Sequence, residues 1–346
     1  ERLEGAEGEG LVFFLVRFVF VFVRFLVVVF EVGWRLVIVV FRRFRVVLLS
    51  WLFWWVFRRE GRLTAMTAAP RVDDHPSSQK PVADIGVIGG SGFYEFLTDA
   101  EEVRVETPFG EPSEAVLVGQ VEGRRVAFLP RHGKDHRFPP HKIPFRANMW
   151  ALRALGVRRI LAPSAVGSLT ASYGPGTLII PDQLVDRTRG RAQTYYDEYA
   201  VHIPFADPYC PSGRTHAIAA ARKAGWVPAG SGTLVVIDGP RFSTRAESRW
   251  HAAQGWSLIG MTGHPEAVLA RELAMCYTTL ALVTDTDAGV QEGDGVTQAE
   301  VFEVFGKNMT RLRELVAKII AAFPDEREDD LCAHALDGIR LPIELP

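Results

Sequence analysis

From residue 82 onward, short apolar runs alternate with glycine-rich turns and amphipathic helical patterns. This alternation predicts strands at residues 85–88, 125–129, 159–162, 178–181, 233–237 and 279–283. It predicts helices at residues 147–155, 265–276 and 298–323. Residues 82–323 therefore indicate one α/β domain, a mixed and largely parallel sheet flanked by helices.

Two of these helices have a clear apolar face. In the helix at 265–276, Leu269, Leu273 and Cys276 are expected to share the buried side. The helix at 298–323 repeats apolar residues three or four positions apart, at Phe302, Phe305, Met309, Leu312, Val316 and Ile319. We expect both faces to pack against the sheet.

Residues 1–65 differ in kind from the rest. They contain 11 of the 22 Phe, 4 of the 8 Trp, and ten Arg against six Glu. Apolar runs at 11–30 and 36–57 have the length of membrane spans, about 20 residues. Arginines interrupt both runs, and each costs on the order of 2.5–3.5 kcal/mol at mid-bilayer.

The alternative is that residues 1–65 are a non-native upstream extension and that the protein starts at Met66. We favour this alternative, and therefore expect no membrane association. Residues 66–81 are then a short disordered leader, and residues 324–346 are a C-terminal tail with little core-forming pattern.

Charge and cysteine content exclude several classes of function. Residues 66–346 carry 29 basic and 35 acidic side chains, so no basic surplus favours a nucleic-acid partner. Cys210, Cys276 and Cys332 are widely spaced and odd in number. That spacing predicts neither a disulfide framework nor a Cys-rich zinc site, and it is typical of a reducing compartment, the cytoplasm.

Polar side chains follow four of the predicted strands. They are Ser91, Arg131 with His132, Ser164, and Asp285 with Asp287. In open α/β sheets, ligands bind beyond the carboxyl ends of the strands. We therefore expect hydroxyls, a cation and carboxylates to meet in one cleft.

Each of these groups has a chemical interpretation and a plainer one. The Gly-Gly-Ser-Gly turn at 89–92 frees N–H groups for an anion, but it lacks the dinucleotide fingerprint and the lysine of a P-loop. Arg131 offers a charged fork and His132 a second donor; alternatively both are ordinary structural residues. Asp285 and Asp287 form either a helix cap or a carboxylate pair with one raised pKa that serves as general acid.

Six motifs occur together in a specific order. They are Ile-Gly-Gly-Ser-Gly at 88–92, Arg-His-Gly at 131–133, Ala-Asn-Met-Trp-Ala-Leu at 147–152, Gly-Pro-Arg-Phe-Ser-Thr-Arg-Ala-Glu-Ser at 239–248, Met-Thr-Gly-His-Pro-Glu-Ala at 261–267 and Thr-Asp-Thr-Asp at 284–287. The set resembles the trimeric purine nucleoside phosphorylases and, within them, the 5′-methylthioadenosine phosphorylases of purine and methionine salvage. The resemblance runs from about residue 82 to residue 323.

The resemblance implies phosphorolysis of S-methyl-5′-thioadenosine, with phosphate as co-substrate and neither a metal nor an organic cofactor. It implies a phosphate site made of Ser91, Arg131, His132, Ser164, Ala165 and Thr262. It places Met261 under the ribose, Phe242 and Ser243 by the purine, and Asp285 and Asp287 at the base. A homotrimer is implied too, with His202 reaching a neighbouring subunit's 5′-pocket.

Two further expectations concern the substrate. A carboxylate accepts a hydrogen bond from the 6-amino group of adenine, whereas related enzymes for 6-oxopurines tend to carry Asn at the first aspartate position. The two aspartates therefore favour adenine over the alternative, a 6-oxopurine nucleoside or methylthioinosine, with Asp285 bonding to N7 of the base and Asp287 close to its 6-amino edge. Methylthio-specific relatives commonly have a small apolar residue at the position that contacts the 5′-group. Alignment without gaps places Gln298 at this position, and a shift of one or two residues places the apolar Val296 there.

Overall fold

The structure is a computed structural model that describes residues 82–90, 97–290, 295–327 and 331–346. Our expectations for residues 1–65, for residues 66–81 and for Ser91 lie outside the described residues. None of the described helices is both long and apolar enough to cross a bilayer.

Ten strands of the described residues form one sheet. They are β1 (Ile85–Gly89), β2 (Thr98–Val103), β3 (Val116–Val121), β4 (Arg124–Pro130), β5 (Arg159–Ser168), β6 (Leu178–Ile179), β7 (Gln183–Asp186), β8 (Thr233–Val236), β9 (Leu258–Gly260) and β10 (Cys276–Thr286). Eight follow the order β2-β3-β4-β1-β5-β9-β8-β7, while β10 pairs with β5 and β6. Strands β4, β1, β5 and β10 run parallel, and β2, β3 and β6 add antiparallel pairs. The predicted mixed sheet is confirmed.

Five α-helices pack on this sheet in the described part of the chain. They are α1 (Phe145–Ala154), α2 (Pro211–Lys223), α3 (Arg245–Ala253), α4 (Gly263–Glu272) and α5 (Gln298–Ala322). Side chains of a strand alternate between faces, so Ile88 packs in a core with α1 and α4, while its neighbour Val87 packs in a core with α2 and α5. Helices thus cover both faces, as parallel strands require.

Strands β5 and β10 bring the predicted site residues together. They pair in parallel from Arg159 with Cys276 to Ser168 with Thr286, with a bulge between Val283 and Asp285. Because the strands run side by side to their carboxyl ends, the cleft residues of β5 lie beside the aspartates that end β10. A bulge at such a point re-aims the side chains that follow it.

Three expectations about these elements were wrong. Strand β5 does not turn after residue 162 but continues to Ser168, because β10 pairs with it throughout. The helix at 265–276 ends at Glu272, and Ala274 then adopts a positive φ of 51°. Cys276 is therefore not on that helix; it is the first residue of β10.

Four strands and two helices had no signal strong enough to be predicted. Strand β2 is exposed along its length and has no apolar alternation. Helix α2 is rich in alanine and buries only small side chains, so its amphipathic pattern is weak. Pairing and packing with distant residues stabilise both elements, and a local sequence window does not contain that information.

Candidate active site

A cleft of about 600 Å³ opens at the carboxyl ends of β1, β4, β5 and β10. All the described residues predicted for the site line it except one; they are Arg131, His132, Ser164, Ala165, Phe242, Ser243, Met261, Thr262, Asp285, Asp287 and Gln298. The exception is His202, which is exposed and does not line this cleft. Its predicted role in a neighbouring subunit's site remains a prediction.

Arg131 lies at one end of the cleft in a buried network. Its Nε donates to Glu266 Oε1 at 2.6 Å and its Nη2 to Glu266 Oε2 at 3.0 Å, and Tyr277 donates its hydroxyl proton to the same Oε2 at 2.6 Å. Burial alone would lower the pKa of the guanidinium, but the Glu266 carboxylate raises it above its ordinary value. Arg131 therefore stays charged although it is only 3% exposed.

The fork of Arg131 is directed at the protein rather than at the cleft. Besides Glu266, it donates to the carbonyls of Ile88 at 3.0 Å and Pro163 at 3.2 Å. Among the described residues, these bonds occupy four of its five N–H groups. We expected the fork to donate two hydrogen bonds to an anion. Instead, one N–H group on Nη1 remains for it, and the guanidinium contributes its positive charge.

His132 also differs from its expected role. Its Nδ1 lies 2.9 Å from the carbonyl oxygen of Phe138, and only a protonated nitrogen can donate to a carbonyl. Burial lowers the pKa of His132 to about 4, so the ring is neutral near pH 7 and its Nε2 is an acceptor. The second donor predicted at this position is therefore an acceptor for a hydroxyl group. His136 stacks on this ring at 4.9 Å between centroids.

The backbone at this end comes from β5 and the start of α4. Ala165 is exposed in a strand whose other residues are buried, because it opens onto the cleft. Thr262 is the N-cap residue of α4, yet its side chain makes no capping hydrogen bond. Its hydroxyl and the N-terminus of α4 are thus available to an anion in the cleft.

Arg191 holds the loop that carries Met261 and Thr262, and sequence reasoning missed it. Its Nη1 donates to the carbonyls of Met261 at 2.9 Å and His264 at 2.5 Å, and its Nη2 to that of Asp238 at 3.0 Å. Gly239 packs closely against Met261, since a Cβ added at Gly239 would lie 2.5 Å from Met261 Sδ. Met261 is thereby fixed against the cleft wall.

The two aspartates lie at the other end of the cleft. Burial raises the pKa of Asp285 to about 6, although the Thr284 hydroxyl donates to its Oδ2 at 2.8 Å. Burial also raises the pKa of Asp287, whose Oδ2 has no hydrogen-bond partner in the described structure. The Ser243 and Ser248 hydroxyls lie near this carboxylate and partly offset the rise in its pKa. The Asp287 and Ser243 side chains both line the cleft.

Gly167 on β5 leaves the space that both aspartates occupy. A Cβ at Gly167 would meet Asp285 Oδ1 at 2.9 Å and Asp287 Cβ at 3.5 Å. Both side chains therefore lie on the same side of the sheet. The arrangement can donate a proton from one carboxyl group and accept a hydrogen bond with the other.

The remaining wall of the cleft comes from the N-terminal half of α5. Gln298, Phe302, Phe305 and Met309 line it, whereas the buried core begins further along the helix, at Leu312. The apolar stripe of α5 is thus only half core, and its other half is binding surface. Gln298 lines the cleft and Val296 does not, so the shifted alignment that would put Val296 at this wall is not supported.

Comparisons with known proteins agree with this geometry. The model of the phosphorylase superfamily matches residues 84–323. The chain is 57% identical over 279 residues to a purine nucleoside phosphorylase of Streptomyces coelicolor, covering 78% of this chain and 100% of that protein. It is 57% identical over 265 residues to an S-methyl-5′-thioadenosine phosphorylase of Mycolicibacterium smegmatis, covering 76% and 99%.

Solved structures are similar as well. The methylthioadenosine phosphorylase from Schistosoma mansoni in complex with adenine superposes with a TM-score of 0.67 at 37% identity, covering 69% of this chain and 91% of that one. A shared fold at this identity supports a shared arrangement of the cleft, which the site residues described above line.

Proposed function

Because this chain belongs to the phosphorylase superfamily, we propose that it is a pentosyltransferase that cleaves S-methyl-5′-thioadenosine with phosphate. The products are adenine and 5-methylthioribose 1-phosphate. One observation carries the proposal: a single cleft has a fixed cation at one end and, at the other, a carboxyl group whose pKa burial raises to about 6. The similarity to S-methyl-5′-thioadenosine phosphorylases, one of them in complex with adenine, supports the choice of nucleoside.

The phosphate end orients a weak nucleophile. The positive charge of Arg131 and the Thr262 hydroxyl hold the anion, while the neutral His132 accepts from the O–H of monoprotonated phosphate. Breaking the bond between C1′ and N9 builds positive charge on the ribose. A phosphate oxygen held beneath C1′ stabilises that charge and then forms the new bond to carbon.

The base end removes negative charge from the leaving purine. With a pKa of about 6, Asp285 is protonated in about a tenth of molecules at pH 7 and donates to N7 as the bond breaks. The Asp287 carboxylate, which lines the cleft, accepts from the 6-amino group. A 6-oxo group offers no donor there, and an unmatched buried contact costs about 1–3 kcal/mol.

The same proposal covers assembly and location. We infer a homotrimer in the cytoplasm, in which His202 of one subunit completes the 5′-pocket of the next, and a reaction that requires only inorganic phosphate as co-substrate. The exposed position of His202, outside its own chain's cleft, supports this arrangement. Light scattering of the full chain measures the number of subunits, and a monomer with full activity would contradict the shared pocket.

The alternative is a purine nucleoside phosphorylase for 6-oxopurine nucleosides, or for methylthioinosine. The name of the Streptomyces coelicolor relative favours it. The polar Gln298 lines the cleft and suits a 5′-hydroxyl group, whichever base the nucleoside carries. The test compares cleavage of methylthioadenosine, adenosine, methylthioinosine and inosine, each with and without phosphate. We expect phosphate-dependent cleavage to be fastest for methylthioadenosine; faster cleavage of the 6-oxo compounds would establish the alternative.

A further inference from the structure

Three cysteines that are far apart in the sequence meet in the fold. The sulfur atoms of Cys210, Cys276 and Cys332 all lie within 4.8 Å of one another, and each side chain is at most 2% exposed. Cys210 is the N-cap residue of α2, Cys276 begins β10, and Cys332 belongs to the C-terminal tail. The wide spacing of the three cysteines along the sequence gave no sign of this convergence.

Two N–H groups stabilise negative charge on these sulfurs. The backbone N–H of Gly213 donates to Cys210 Sγ at 3.3 Å, and Arg327 Nη2 donates to Cys276 Sγ at 3.3 Å. Such bonds to ligand sulfurs are the usual second shell of a thiolate metal site. A cation of this kind is bound by thiolates, so its binding must displace the thiol protons.

From this geometry we propose that Cys210, Cys276 and Cys332 bind one thiophilic divalent cation, of which Zn²⁺ is the prime example. At a metal–sulfur distance of about 2.3 Å, three sulfurs around one ion lie about 4 Å apart, which small side-chain shifts provide. Three thiolates, one divalent ion and the Arg327 guanidinium sum to zero charge, which a buried site favours.

The cation ties the C-terminal tail to the domain. The tail carries Leu341, Ile343 and Leu345, which pack against the core on the α1 and α4 side of the sheet. Cys276 stands nine residues before Asp285 on the extended β10, about 30 Å at 3.3 Å per residue. The ion is therefore remote from the cleft, and its role is structural rather than catalytic.

The test uses the full chain, reduced and stripped of metal under anaerobic conditions. Titration with Zn²⁺ against a chromophoric chelator should give one ion per chain with release of protons. Co²⁺ should give a sulfur-to-metal charge-transfer band in the near ultraviolet. Cys332→Ser should weaken binding at least about 100-fold, whereas Ala333→Ser, the control beside it, should bind as the unmodified chain does. Cu⁺ in a parallel titration tests whether a monovalent ion is preferred.

Clear results would overturn the proposal. One is Zn²⁺ binding by Cys332→Ser as tight as by the unmodified chain. Another is a preference for Cu⁺ over Zn²⁺. Because a buried substitution can unfold a chain, the unmodified protein gives an independent answer: a cobalt spectrum without the charge-transfer band, or a disulfide between two of the cysteines under saturating Zn²⁺, contradicts the site.

Discussion

The two ends of the cleft differ in how the protein stabilises their charged groups. At the phosphate end, Arg131 is paired with Glu266 and bonded to two carbonyls, so its charge is fixed before any ligand arrives. At the base end, burial desolvates Asp285 and Asp287 and raises both pKa values. The comparison indicates that an arginine that positions an anion needs partners that stabilise its charge in advance. A carboxyl group that donates a proton needs burial that raises its pKa.

The largest expected effect comes from removing the proton at the base end. Asp285→Asn should lower kcat for methylthioadenosine by about 10²–10⁴, the usual contribution of a general acid, because an amide cannot protonate N7. The chain should still fold, since Asp285 loses only its bond from Thr284 and the substitution removes a buried charge. Asp325→Asn, the same change at an exposed carboxylate, serves as the control. Equal turnover in both variants would remove Asp285 from the mechanism.

Breaking the pair at the phosphate end should damage folding and function together. Arg131→Ala leaves Glu266 buried and unpaired, so the free energy of unfolding should fall by about 3–5 kcal/mol, and KM for phosphate should rise more than KM for the nucleoside. The double variant Arg131→Ala with Glu266→Gln should recover stability in urea unfolding but not phosphate use. Unaltered dependence of the rate on phosphate would contradict the anion site.

The pH dependence of the free energy of unfolding should report the burial of Asp285 at the base end. Burial raises the pKa of Asp285 from 3.8 to about 6, so the folded chain holds this proton more tightly than the unfolded chain does. The free energy of unfolding should therefore fall as pH rises from about 4 to about 6, by at most about 3 kcal/mol at 1.36 kcal/mol per pKa unit. Asp285→Asn should lose this slope, and equal slopes in denaturant titrations would show that Asp285 is not desolvated.

The smallest effect is expected where the cleft wall contacts the 5′-group. Gln298→Leu makes the wall of α5 fully apolar, so the ratio of kcat/KM for methylthioadenosine over adenosine should rise about tenfold. Gln254→Leu, at the exposed C-cap of α3 and outside the lining of the cleft, should leave the ratio unchanged. A ratio that does not move in either variant places the 5′-group elsewhere in the cleft.

Many of the cleft residues could be predicted because the end of a strand can be recognised from a few neighbouring residues in the sequence. Apolar runs that stop at Arg131, Ser164 and Asp285 indicated where polar groups would gather. Glu266 could not be assigned its role, because an acidic residue in the first turn of a helix is equally typical of an exposed cap. Arg191 gave no signal at all, since its partners are backbone carbonyls that any residues could supply.

The amino-acid sequence by itself determined the alternation of strands and helices, the family resemblance and the identity of the cleft residues. Only the tertiary structure decided which of these groups are already paired, that His132 is an acceptor, and that three distant thiols form one cluster. The physical reason is that charge state and hydrogen bonding depend on burial and on neighbours across the sheet. Those neighbours are set by the pairing of β5 with β10 and not by distance along the chain.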